Sequence, residues 1–218
     1  ITFEYPITAI AGRNGAGKST VLALACCAFP SDEQGFKLPK RKNSYYTFSD
    51  FFVQNTEEIT HQELSIRYSI AHDNWRRTSV PTGVAVADQV RRKKANGKWN
   101  DYDTRVKRTV IFLGIERIVP HSERSQSRSY SKVFKQRKPK GWEDKVREAV
   151  GYVLNKEYLD FRYLEHSKYT LPIVKTKDGI YSGFNMGAGE NALFEIFSTV
   201  YSAGEGALLV MDEIELGL

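Results

Sequence analysis

The sequence predicts an α/β fold with a mixed β-sheet core, an antiparallel β layer beside it and a helical, basic insertion. Three features carry that expectation. Near the start, a glycine-rich turn, residues 12–19, separates an apolar stretch, residues 7–11, from helix-forming residues 20–29. Near the other end, Ala207, Leu208, Leu209, Val210 and Met211 run without a polar residue into Asp212 and Glu213, as a strand buried on both faces of a parallel sheet does. Between them lie segments of period-two alternation and glycine-containing turns, the signal of antiparallel hairpins.

Taken in chain order, residues 7–11 read as a buried strand, paired with one nearer the start. The turn that follows, Gly12-Arg13-Asn14-Gly15-Ala16-Gly17-Lys18-Ser19, fits G-x-x-x-x-G-K-[ST] at every fixed position. A triphosphate needs closely spaced backbone N–H donors, a helix N-terminus aimed at the anion, one cation and a magnesium ligand. Gly12, Gly15 and Gly17 allow tight, partly left-handed turns. Lys18 is the cation for the β- and γ-phosphates and Ser19 the Mg²⁺ ligand, with Arg13, Asn14, Ala16 and Thr20 completing the nucleotide-binding stretch. The expected ligands are ATP and Mg²⁺. Arg13 has two readings, a contact to phosphate or base and a solvated surface cation. Cys26 and Cys27 are adjacent on the following helix and lack zinc-ligand spacing, so they read as buried reduced thiols.

Residues 45–54 are aromatic-rich and strand-like, ending at Gln54. Leu64, Ile66, Tyr68 and Ile70 alternate as an antiparallel strand does. Residues 84–90 and 99–109 flank Ala95-Asn96-Gly97-Lys98, and Asn-Gly favours the positive φ of a hairpin turn. Residues 109–113 resume an apolar strand, after which Arg117 reads as a contact to nucleotide, to a partner subunit, or as a surface ion pair near Glu116. Residues 122–131 are polar enough for a flexible loop. Positive charge is concentrated in residues 91–145, an insertion within a single head spanning residues 1–218. Arg91, Arg92, Lys93, Lys94, Arg124 and Arg128 are its candidates for binding phosphate backbones by counterion release. A basic face for an acidic protein partner and a solvated surface are the other readings.

Val146, Ala149, Val150, Val153 and Leu154 have helical spacing within residues 142–158, and residues 171–181 form a hairpin turning at Asp178-Gly179. A second glycine-rich segment, Gly187, Ala188, Gly189 and Glu190, opens the apolar-periodic run through Leu193, Phe194, Ile196, Phe197 and Val200, and so forms a second helix N-terminus suited to an anion. At the end of the last apolar run, the Walker B position, Asp212 would hold Mg²⁺ and Glu213 would polarise the attacking water.

Phosphate loop, degenerate signature at Gly187 to Glu190, Asp212-Glu213 and then residues 214–218 occur in one order. That order resembles the AAA-type ABC ATPase heads related to RecF, the SMC proteins and the overcoming-lysogenization-defect nucleases. The resemblance implies a P-loop NTPase of ABC-head type, in which the signature of one subunit touches the γ-phosphate held by another. It implies a homodimer around ATP, with higher assembly open, and an associated or fused nuclease or toxin effector in anti-phage defence or DNA maintenance. A nucleotide-sensing, Mg²⁺-contacting glutamine is also implied; Gln54 is the candidate, with Gln34 and Gln62 available and a surface role the alternative. In these families a D-loop follows Walker B and a switch histidine lies beyond it. The signature usually carries Ser where this chain has Gly187, so a simple turn and helix cap is the competing reading. The chain begins at Ile1 and stops at Leu218, as an incomplete head does.

The chain has 218 residues, 41% hydrophobic, a net charge of +6 and a pI near 9.2. That is enough for a sizeable core, and no run of about 18 apolar residues is present, so a soluble, cytoplasmic protein without membrane contact is expected. None of His61, His72, His121 and His166 has metal or triad spacing. A P-loop kinase and a nucleotide-sensing scaffold with little turnover are the rival functional readings.

Overall fold

The computed structural model describes residues 1–29, 44–53, 55, 57–58, 63–72, 85–94, 99–100, 108–124, 128–167 and 169–214. Gln54, Gln34 and Gln62 lie outside them, as do residues 95–98, 101–107, 125–127 and 215–218. The chain divides into two units, Ile1–Asp32 with Tyr45–Arg108, and Glu33–Ser44 with Thr109–Leu218. The basic stretch 91–145, expected as one insertion, is divided between them.

In the first unit, α1 (Lys18–Cys26) follows the glycine-rich turn. Strands β1 (Leu64–His72), β2 (Ala85–Lys93) and β3 (Trp99–Asn100) form an antiparallel sheet in that order. Lys93 lies opposite Trp99 in the antiparallel β2–β3 pair, and the turn expected at residues 95–98 lies outside the described residues. The Tyr68 hydroxyl of β1 donates to the Leu24 carbonyl of α1 at 2.9 Å, and tethers the sheet to the helix. Cys26 and Cys27 are buried and not bridged to one another.

Two expectations fail here. Residues 7–11 form no strand, and Ile7 is 89% exposed. A strand persists where a neighbour supplies its hydrogen-bond ladder, and no ladder among the described residues involves residues 1–11. Residues 45–53 are not a strand either. Thr47 and Asp50 form a capping box around a 3₁₀ turn, Phe48–Asp50, in which the Asp50 carboxylate accepts from the Thr47 N–H at 2.7 Å. Local side-chain bonds of this kind compete with a sheet ladder. The turn buries Phe48 against Trp99, ring centres 4.2 Å apart.

In the second unit, β4 (Val110–Leu113) and β9 (Leu208–Met211) pair in parallel, from Val110 opposite Leu208 to Leu113 opposite Met211. Among the described residues this sheet has two strands. Consequently Val210 alone of β9 is buried, where burial of the whole strand was expected. Four antiparallel strands, β5 (Lys135–Gln136), β6 (Asp160–His166), β7 (Tyr169–Thr176) and β8 (Gly179–Ser182), form the second sheet. The turn at Asp178-Gly179 and the helix predicted in residues 142–158 both form, the latter as α2 (Glu143–Leu154). Its four-residue spacing sets Val146 and Val150 on one buried face. Asn155 ends α2 in the left-handed conformation, φ 48°, and the Lys156 N–H closes back on the Gly151 carbonyl at 2.9 Å.

Helix α3 (Ala188–Ala203) completes the core. Its Phe194 is fully buried, stacked on Phe161 at 4.5 Å and edge-on to Tyr158 at 5.3 Å. Among the described residues no helix is long and apolar enough to cross a membrane. Phe194→Ala should lower the unfolding free energy by about 3–5 kcal/mol, by lost burial and the cavity left behind. Tyr152→Ala, at a residue 90% exposed, should change it by less than about 0.5 kcal/mol. Urea unfolding followed by circular dichroism compares them, and equal losses would contradict this core.

Candidate functional site

The glycine-rich turn has the backbone that phosphate requires. The Ala16 N–H donates to the Arg13 carbonyl at 3.2 Å, closing a tight turn. Gly15 and Gly17 then take φ of 79° and 87°, the left-handed region that side chains avoid. Among the described residues, apart from each glycine and its chain neighbours, no heavy atom lies within 4 Å of where a Cβ on either would sit. Gly17 caps α1 without a side-chain bond, and the first turn of the helix holds no acid. The N–H groups at that end have no intrahelical carbonyl to meet, and no carboxylate of the helix's own first turn competes for them. Lys18 reaches back over the turn, its Nζ donating to the carbonyls of Gly12 at 2.9 Å and Arg13 at 3.1 Å. Arg13, Asn14, Ser19 and Thr20 are exposed around it.

In the second unit the parallel ladder ends where the Asp212 N–H donates to the Leu113 carbonyl at 3.0 Å. Asp212 Oδ1 accepts the N–H of Glu213 at 3.1 Å. Glu213 itself turns left-handed, φ 53°, and is exposed. The carbonyls beyond the ladder are taken by Arg117, on the 3₁₀ turn Ile115–Ile118 that follows β4. Its Nη1 donates to Asp212 O at 2.6 Å and lies 3.0 Å from Gly114 O, while Nη2 donates to Glu213 O. Arg117 is 2% exposed, so the surface ion pair beside Glu116 is not its role. The sequence carries one trace of this: Arg117 is enclosed by Ile115, Ile118 and Val119 immediately after an apolar strand.

The second glycine-rich segment caps a helix as expected, with Gly187 at the N-cap of α3 and Ala188, Gly189 and Glu190 in its first turn. The Glu190 carboxylate is enclosed, however, within its own unit. It accepts from the hydroxyls of Tyr158 and of Tyr181, the latter at 2.6 Å, and from Lys156 Nζ at 3.0 Å. Burial works to raise its pKa, but the bonds from Tyr158, Tyr181 and Lys156 outweigh burial and hold it below the ordinary carboxylate value. Burial likewise opposes the charge on Lys156, and the bonds to Tyr181 and Glu190 turn the balance, leaving its pKa raised. Neither tyrosine nor Lys156 carries a motif that would have drawn it from the sequence.

The basic candidates separate. Arg91 is 1% exposed, which removes it from any nucleic-acid surface. Alternate residues of a strand share a face, and Gln89 and Arg91 both turn inward on β2, where Nη2 of Arg91 donates to Gln89 Oε1 at 2.7 Å. Arg124 is likewise structural, bonded to the carbonyls of Val119 at 2.9 Å and Glu116 at 2.7 Å and paired with Glu195 at 3.3 Å. Arg92, Lys94 and Arg128 are exposed and Lys93 half-buried. Among the described residues no group of three His, Cys, Asp or Glu side chains gathers around a metal position.

The Glu190 cluster generates a pH prediction. A carboxylate whose folded pKa is depressed contributes stability that is present above its unfolded value and lost as pH falls through the folded value. Glu190→Gln should therefore be less stable than the parent at neutral pH. Its stability should also fall less steeply with acid below pH 4.5, the ordinary value for this group. Urea midpoints across that range measure both, and parallel pH profiles for parent and variant would contradict the cluster.

The comparisons with known proteins agree with the loop geometry. Neither a curated protein nor a solved structure gives a significant match. A family model described as an AAA domain matches residues 1–169, and thus includes the whole of the phosphate loop. The chain belongs to that AAA domain family, a family of P-loop ATPases.

Proposed function

We propose that this protein hydrolyses ATP as an ABC-type head, and that two copies close head to head around nucleotide to switch an effector acting on nucleic acid. The observation that carries the reading is the left-handed, uncapped turn at Gly15 and Gly17 running into α1. Its backbone donors and Lys18 would hold the β- and γ-phosphates. Ser19 and Asp212 are the residues that would hold Mg²⁺, which when bound neutralises phosphate charge. Glu213 takes the role of the carboxylate that orients and polarises water.

The N-terminus of α3, with Gly187 to Glu190, is assigned to the partner copy's nucleotide. Since the Glu190 carboxylate is occupied by Tyr158, Tyr181 and Lys156, the main-chain N–H groups of that turn are the donors assigned to this contact. Nucleotide-driven closure in an anti-phage or DNA-maintenance system, with a nuclease or toxin as effector, is the setting the motif order supports.

Lys18→Ala should lose ATP binding. Glu213→Gln should keep it while turnover falls roughly 100-fold or more. Phosphate release and a fluorescent ATP analogue measure the two, and unchanged turnover in Glu213→Gln would remove that residue from the chemistry. Light scattering on nucleotide-bound Glu213→Gln should show a doubled mass; a monomer would overturn the two-head closure.

A further inference from the structure

We infer that Arg117 is the positioning residue for Glu213, acting through the backbone at the end of β9. This rests on Glu213 being the carboxylate that polarises water. The argument begins where the sheet stops. The last rung joins the Asp212 N–H to Leu113 O, so among the described residues the carbonyls of Asp212 and Glu213 lie beyond the ladder, and the chain turns left-handed at Glu213 with φ 53°. A non-glycine residue stays in that region only where its surroundings fix it there. Arg117 provides the fixing, donating from Nη1 to Asp212 O at 2.6 Å and from Nη2 to Glu213 O.

The planar guanidinium is suited to this task. It presents its N–H groups at fixed angles, so holding two successive carbonyls sets the relative orientation of the two peptide planes that flank Glu213, which a lysine ammonium on a flexible stem cannot do. The Asp212 Oδ1 bond to the Glu213 N–H, 3.1 Å, constrains the same residue from its other side. Arg117 is in turn anchored: its carbonyl accepts from Nδ2 of Asn191, a buried residue of α3, at 3.4 Å. The direction of the Glu213 side chain is thus set by a cation that carries no proton to or from the substrate.

The test compares Arg117→Lys, Glu213→Gln and the double variant, reading kcat by phosphate release and ATP affinity with a fluorescent analogue. Arg117→Lys should lower kcat roughly 10- to 100-fold, as loss of a group that orients a catalytic one does, with ATP affinity unchanged. The double variant should be no slower than Glu213→Gln, because the guanidinium acts only through that carboxylate. Losses that multiply, or a wild-type kcat in Arg117→Lys, would overturn the inference. Should Glu213→Gln itself keep full turnover, the assignment of Glu213 fails and the role of Arg117 with it; loss in Glu213→Gln alone defeats only Arg117. If Arg117→Lys does not fold, Asn191→Ala replaces it, keeping the guanidinium while freeing its backbone. The same pattern is expected there, with a smaller drop in kcat, and an unchanged kcat would overturn the inference.

Discussion

A guanidinium withdrawn from water must find acceptors for its N–H groups, because burying an unmet charge is far more costly than burying an apolar side chain. In the second unit that demand falls on Arg117, and its acceptors are main-chain carbonyls at the ends of two strands. Leu113 and Gly114 lie where β4 gives way to a 3₁₀ turn, and Asp212 and Glu213 lie where β9 ends. One cation therefore gathers the loose ends of the parallel pair, and Asn191 adds α3 to the same centre. The acidic turn is placed by this convergence, since the ladder itself stops one residue short of Glu213.

The two glycine-rich helix starts differ in their electrostatics. The N-terminus of α1 is uncapped by side chains and free of acids, with Lys18 folded against its own loop. The N-terminus of α3 carries Glu190, whose charge is met locally by an ammonium and two phenols. A helix start already bearing a carboxylate would repel phosphate if that charge were bare. Lys156 removes most of the conflict. The first helix start thus has no acid of its own to offset, whereas at the second the charge of Glu190 is compensated by a group supplied by a loop after α2.

Much of this was legible in the sequence. The fixed positions of residues 12–19 specify a loop whose left-handed glycines and following helix are seen in the structure, alternation at Leu64 to Ile70 specifies an antiparallel strand, and turn chemistry at Asp178-Gly179 specifies its hairpin. What was not legible depends on partners distant in the chain. Arg91 and Arg124 read as surface charge because clustering is visible in sequence and burial is not. Residues 7–11 read as a strand because an apolar run fits one, although whether a ladder forms depends on a neighbour that local pattern does not name. At residues 45–54, Thr47 and Asp50 override aromatic β-propensity through a bond three residues long. The acids at the end of β9 could be picked out, and so could Arg117, but not that it holds their carbonyls from 95 residues away.

The left-handed backbone at Glu213 has a consequence for how this position responds to selection. A side chain there carries a conformational cost of about 1–2 kcal/mol that glycine would not, and Glu213→Gly would relieve it while leaving the carbonyl that Arg117 holds. Under the role proposed for Glu213, folding and chemistry ask opposite things of one residue. A library sorted for heat resistance and one sorted for turnover would pull this single codon in opposite directions.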